Sequence, residues 1–129
     1  MNDLDAAISV AATGMNAQAL RLRHVSENLA NADTPGYRRK IVTFRPEGAG
    51  QTEGGVRPGR VRLDPAPGER IHDPSHPLAG ENGFYEGSNV DAVIEIADAR
   101  EAQRGYDANL NMMERAMQMK RDLIGLLRG

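Results

Sequence analysis

The stretch from Tyr106 to Leu127 constrains this chain more than any other. At 100° per residue, Tyr106, Leu110, Met112, Met113, Ala116, Met117, Met119, Leu123, Ile124, Leu126 and Leu127 fall on one side of a helix. They cover an arc of roughly 200°, where packing one face against one core takes about 100° or somewhat more. Lys120 alone interrupts the arc. A helix this apolar needs more than one neighbour, and the rest of the chain decides whether it can supply them.

The supply is thin. The chain has 129 residues, one domain's worth, and although 40% are hydrophobic it has only two Phe and three Tyr. A net charge of −2 argues against nucleic acid or an anionic membrane recruited by overall charge. The absence of cysteine excludes disulfide scaffolds and thiolate metal sites. The first twenty residues carry Asp3 and Asp5 and no Lys or Arg, so no secretory signal with a basic start is expected there.

A second helix is expected at the N-terminus. Ile8, Met15, Leu22 and Leu29 recur every seven residues, with Ala12, Ala19 and Ser26 between them. Leu4, Ala11 and Val25 widen the face, and Gln18 is its one polar intruder. Four heptads with an alanine-rich seam predict coiled-coil-like packing against another helix. The helix should stop at Asn31-Ala32-Asp33-Thr34-Pro35-Gly36-Tyr37, where Pro35 and Gly36 suit the centre of a type II turn.

The run Asn28-Leu29-Ala30-Asn31-Ala32-Asp33-Thr34-Pro35-Gly36-Tyr37, following an amphipathic N-terminal helix, closely resembles the signature of bacterial flagellar rod and hook proteins. Two further elements extend the likeness. His72-Asp73-Pro74-Ser75-His76-Pro77-Leu78-Ala79-Gly80-Glu81-Asn82-Gly83 resembles a run of the proximal-rod subgroup, and Arg104-Gly105-Tyr106-Asp107-Ala108-Asn109 is similar to the family's Arg-x-Tyr-x-Ala-Asn. Where the family usually reads Pro-Asn-Val-Asp, this chain has Ser88-Asn89-Val90-Asp91, and Ser88 with Asp91 could form a capping box for the last helix. Gly105 marks a bend or a close contact within that helix.

Between Pro46 and Ser88 lie nine of the 14 glycines and six of the seven prolines, which forbids long helices. Short extended pieces are expected at Lys40 to Phe44 and around Val61 and Leu63. Asn82-Gly83 before Phe84-Tyr85 is a hairpin signal, and Gly48 to Gly55 reads as a flexible loop. His72 and His76 suggest a metal-dependent hydrolase, but Pro74 and Pro77 exclude the helix that would align them. Tyr37-Arg38-Arg39-Lys40 with Arg57, Arg60 and Arg62 could form a basic patch, for which a solvated face or intersubunit ion pairs is the plainer reading.

The expected fold is mainly α, with long N- and C-terminal amphipathic helices paired coiled-coil-like and a small irregular β-containing insertion between them. Residues 1–36 with 89–129 would form the helical part and residues 37–88 the Gly/Pro-rich part. Such a pair leaves apolar surface uncovered, which polymerisation would bury. Helix packing and intersubunit contact are assigned to Ile8, Met15, Leu22, Leu29, Tyr106, Leu110, Met112, Met113, Met117, Met119, Leu123 and Leu126. The motif residues are Asn28, Asn31, Thr34, Pro35, Gly36, Tyr37, Asn89, Val90 and Asp91.

The resemblance implies a non-enzymatic rod subunit in the periplasm, without cofactor or metal, that transmits torque and lines the export channel. Its neighbours would be FlgB, FlgF, FlgG and the base-of-rod adaptor FliE. Export would be unfolded, through the flagellar type III apparatus. A sister proximal-rod protein, FlgB, is the alternative within the family.

Overall fold

The computed structural model describes residues 2–48 and 52–129. Helix α1 (Asn2–Ala30) and helix α2 (Ala92–Arg128) pair antiparallel, with six short strands between them: β1 (Lys40–Ile41), β2 (Phe44–Pro46), β3 (Val56–Pro58), β4 (Arg62–Leu63), β5 (Arg70–His72) and β6 (Phe84–Glu86). At 1.5 Å per residue the helices are about 43 and 55 Å long. No helix among the described residues is long and apolar enough to cross a membrane.

Each helix end follows from local chemistry. Pro35 and Gly36 form the type II turn after α1: Gly36 has φ +74°, and Tyr37 N donates to Thr34 O at 3.1 Å. Asp91 caps α2, its carboxylate accepting from Val93 N at 2.9 Å. The capping box expected of Ser88 does not form. Ser88 is buried, its hydroxyl donates to Ala32 O and accepts from Val90 N, and so it ties the two helix ends together instead.

The helix pairing is in one register throughout. Asp5 meets Lys120, Gly14 meets Asn109, Gln18 meets Gly105, Arg21 meets Asp98 and Asn28 meets Glu95. With Asp5 opposite Lys120, the last turn of α2, carrying Leu126 and Leu127, projects past the start of α1. The α1 seam is therefore Ala11, Gly14, Gln18, Arg21, Val25 and Asn28, spaced alternately by three and four. On α2 the fully covered residues are Glu95, Ala102 and Ala116. The stripe Ile8, Met15, Leu22 and Leu29, expected to face α2, is centred roughly 80° round the helix from this seam. Small residues decide the difference. A Cβ on Gly14 would lie 2.6 Å from the Asn109 amide, and one on Gly105 would lie 2.9 Å from the Gln18 amide. Gly105 is thus a point of close approach.

The strands form two hairpin-like units. β1 pairs with β4 and β2 with β3, so residues 40–63 make one long, interrupted antiparallel hairpin. It runs back along α1: Val56 N donates to Thr13 Oγ1 at 3.1 Å, and a Cβ on Gly54 would touch Val10. Of the loop expected from Gly48 to Gly55, Ala49, Gly50 and Gln51 lie outside the described residues, while Gly55 is buried against α1. β5 pairs with β6 across the segment 73–83. Asn82-Gly83 is not a two-residue hairpin loop: Gly83, at φ +80°, closes a turn with Gly80 at the end of that segment.

The molecule exposes 8776 Å² for 14.0 kDa. A compact monomer of this mass would expose about 6,700 Å². The excess is what a two-helix rod with little bulk at its seam must show.

Candidate functional site

Two features stand out: a polar knot where the insertion joins the helices, and apolar flanks outside the seam. The knot centres on Asn28, 1% exposed. Its Nδ2 donates to Lys40 O at 3.0 Å and to Glu95 Oε2 at 3.2 Å. Its Oδ1 accepts from Tyr37 OH at 2.9 Å and Lys40 N at 2.8 Å. Both donors and both acceptors of the amide are used, which is what burying an asparagine requires.

Glu95, 0% exposed, takes its second partner from Arg39, whose Nε donates to Oε1 at 2.6 Å. Arg39 also reaches Asp98 at 3.1 Å and Asp64 at 3.6 Å, and Arg21 holds the other Asp98 oxygen at 3.3 Å. Burial works against the Arg39 charge. The hydrogen bond and charge of Glu95, with Asp98 and Asp64 behind, outweigh it and raise its pKa. Burial likewise pushes the Tyr37 phenol up, which keeps its proton for Asn28. Asn89 completes the knot: its Oδ1 accepts from Arg39 N at 2.6 Å, and its Nδ2 donates to Asp64 O and Ala66 O at 3.0 Å.

The motif residues therefore act as a clamp. Asn31 holds the end of α1 through Glu27 O and accepts from the Thr34 hydroxyl; Pro35 and Gly36 make the turn. Val90 is half-buried and Asp91 is the helix cap. Arg39, Glu95 and Asp98 were not singled out as a group from sequence. Periodicity gave no signal for them: the stripe of Val90, Ile94 and Ala97 is interrupted by Glu101, and Glu95 lies roughly 130° round the helix from it.

The apolar flanks are heptad stripes. Met112, Met119 and Leu126 run along one side of the α2 seam, and Leu110, Met117 and Ile124 along the other. Met112 is 55% exposed, Leu126 77%, Leu127 85% and Val93 75%; Met117, Met119 and Leu123 are also exposed. Tyr106, Leu110 and Met113 are half-buried, as are Ile8, Met15 and Leu22, while Leu29 is exposed. A groove between the helices is lined by Leu4, Ala7, Ala108, Met112, Ala116 and Met119. It brings the first α2 stripe alongside the apolar flank of α1.

His72 and His76 do not converge. The His72 ring packs edge-on against Phe84, and the His76 ring stacks on Tyr85 at 3.9 Å with its Nδ1 accepting from Leu78 N. Among the described residues no three His, Asp or Glu side chains are grouped to hold a metal.

Residues 8–38 match the family model described as flagella basal body rod protein, and residues 81–126 match that of the flagellar basal body rod FlgEFG protein C-terminal region. The chain is 42% identical to the flagellar basal-body rod protein FlgC of Agrobacterium fabrum, over 99% of this chain and 98% of the relative. It is 36% identical to FlgC of Salmonella typhimurium over 85% and 87%, and 31% identical to FlgC of Borreliella burgdorferi over 98% and 99%.

Proposed function

Because the chain belongs to the flagellar basal-body rod protein family, we propose that it polymerises through the outward faces of its two helices. It is a structural subunit of the rod, located in the flagellar basal body, and its curated relatives across bacteria are FlgC. In this reading residues 1–36 with 89–129 form the assembling part and residues 37–88 a lobe carried outside it. Ile8, Met15, Leu22, Leu29, Met112, Met117, Met119, Leu123 and Leu126 meet helices of other subunits. The polymer transmits torque and lines the export channel within the periplasm. The chain has no catalytic role, arrives through the type III export apparatus, and is neighboured by FlgB, FlgF, FlgG and FliE.

One observation carries the reading: apart from Val25, the large apolar side chains of the helices lie mostly outside the seam, and on α2 Val93, Met112, Met119, Leu126 and Leu127 are more than half exposed. Apolar area of this kind is stabilised by burial at about 25 cal/mol per Å². Only contact with other subunits can provide that burial, because the helices already face each other through small and polar residues.

Sedimentation of the purified chain, alone and mixed with FlgB, FlgF, FlgG and FliE, tests it. Association on mixing is expected, and Met112→Ser with Leu126→Ser should abolish it while helicity by circular dichroism persists. A heat-stable monomer that ignores every neighbour would overturn the reading.

A further inference from the structure

The insertion separates charge. Beyond Lys40, whose charge is paired with Glu27, the long hairpin (residues 41–63) carries Arg45, Arg57, Arg60 and Arg62 against Glu47 and Glu53, a net +2. The segment around β5 and β6, residues 65–87, carries Glu69, Asp73, Glu81 and Glu86 against Arg70, a net −3.

The arginines have no use within the chain. Arg38, Arg39 and Lys40, next to them in sequence, are all paired, with Glu86, Glu95 and Glu27. Arg45, Arg57, Arg60 and Arg62 are exposed and have no acidic partner among the described residues. Arg45 and Arg57 even sit directly opposite each other in the β2–β3 pair, where like charges are destabilising. An arrangement that works against the monomer makes sense if an anionic surface arrives from outside.

The acidic segment has the matching surplus. Glu69 and Glu81 are exposed and their carboxylates have no partner among the described residues. Within one copy the β2–β3 part of the hairpin lies away from the acidic segment. The segment sits at the motif end of the helices, held by Gly36 N to Gly87 O at 3.3 Å and Glu69 N to Ser88 O at 3.2 Å. The hairpin starts at that same end, where Arg62 pairs with Ile41, and runs from Asn28 back to Thr13, so that its β2–β3 part, with Arg45 and Arg57, lies up to about 22 Å away along α1. In a contact between two copies, one displaced along the helix direction would place its acidic segment over the hairpin of the other. That contact is heterologous and repeats without closing, as a helical array requires.

We propose that the arginine hairpin of one copy docks on the acidic β5–β6 segment, with Glu69 and Glu81, of a second copy of this chain. This rests on the polymerisation reading and adds to it an electrostatic contact that sets how copies are offset, separate from the apolar one.

The test uses the full chain in sedimentation velocity at low and high salt, with circular dichroism as the control for folding. Arg57→Glu with Arg60→Glu and Arg62→Glu, and separately Glu69→Arg with Glu81→Arg, should each weaken self-association by about tenfold or more at low salt. High salt should shrink the difference. An equimolar mixture of the two variants, or all five substitutions in one chain, should restore it, because opposite charges again face each other. Unchanged association in both variants, or no recovery on mixing, overturns the proposal while leaving apolar assembly standing. Loss of binding to a polyphosphate probe with self-association intact would assign the hairpin to a polyanion and also overturn it. A wild-type chain that associates with neither itself nor the other rod proteins overturns the assembly reading, and this contact with it.

Discussion

Between its helices the chain buries alanine, glycine, asparagine and glutamate; on their outer flanks it displays leucine, isoleucine and methionine. The two surfaces have exchanged the contents usual for core and exterior. Gly14, Gly105 and the alanines allow the helix axes to approach closely, so the seam gains contact area without bulk. Under the polymerisation reading, the flanks keep the bulk for a second layer of partners. Specificity within the monomer comes from polar groups that fit only one register, and the proposed assembly would use the apolar surface.

Breaking the seam should cost far more in the monomer than altering the flanks. The largest effect is expected at Glu95. Replacement by Ala leaves the Arg39 guanidinium, 15% exposed, with its nearest counter-charge gone and one Asn28 hydrogen bond lost. Removing one member of a buried pair costs about 3–5 kcal/mol. Chemical denaturation of the monomeric chain should show it, and a loss below about 1 kcal/mol would mean the knot is not what holds the insertion. Gly14→Val ranks next. Its Cβ would collide with Asn109, and overpacking of this kind costs about 1–3 kcal/mol. Gly125→Val, with nothing near its Cβ, is the control and should be neutral or slightly stabilising, because valine has the better helix propensity of the two.

The helices, their pairing and the stop at Pro35-Gly36 were readable from periodicity and turn chemistry, because those signals are local. The seam was misplaced for a physical reason. Hydrophobic periodicity finds the greasiest face, and here the greasiest stripe, Ile8, Met15, Leu22 and Leu29, is not the one α2 covers. Three residues round, Ala11, Gln18 and Val25 read only as the margin of that face, and Gly14 and Asn28, which complete the seam, carry too little hydrophobicity to mark it. The polar knot was hidden differently: Asn28, Arg39, Asn89 and Glu95 are brought together only by the chain reversal at the motif. Ser88 read as a cap because spacing alone cannot show that Ala32 O lies within reach.

On the flanks the expectation inverts. Met119→Ser should change monomer stability by no more than about 0.5 kcal/mol, since the side chain is exposed, yet it should weaken association with other subunits. Equal losses in both measurements would erase the distinction between seam and flank.

The smallest effect is expected where the insertion touches α1 at the surface, through Lys40 Nζ and Glu27 Oε2 at 2.6 Å. The hydrogen bond to Lys40, with His24 adding to it against a desolvation that works the other way, holds the Glu27 carboxyl below its usual value. The same bond raises Lys40. Glu27's contribution is therefore present above the ordinary carboxylate range and fades as pH falls through its depressed folded value. Lys40's is present below the ordinary lysine value and fades as pH rises through its elevated one. Between those limits the pair adds a constant, salt-screened increment. Lys40→Met should lower Tm slightly at neutral pH and not at all in strong acid, where wild type and variant converge. A loss of the same size at both pH values would show that the charge pair with Glu27 is not what Lys40 contributes.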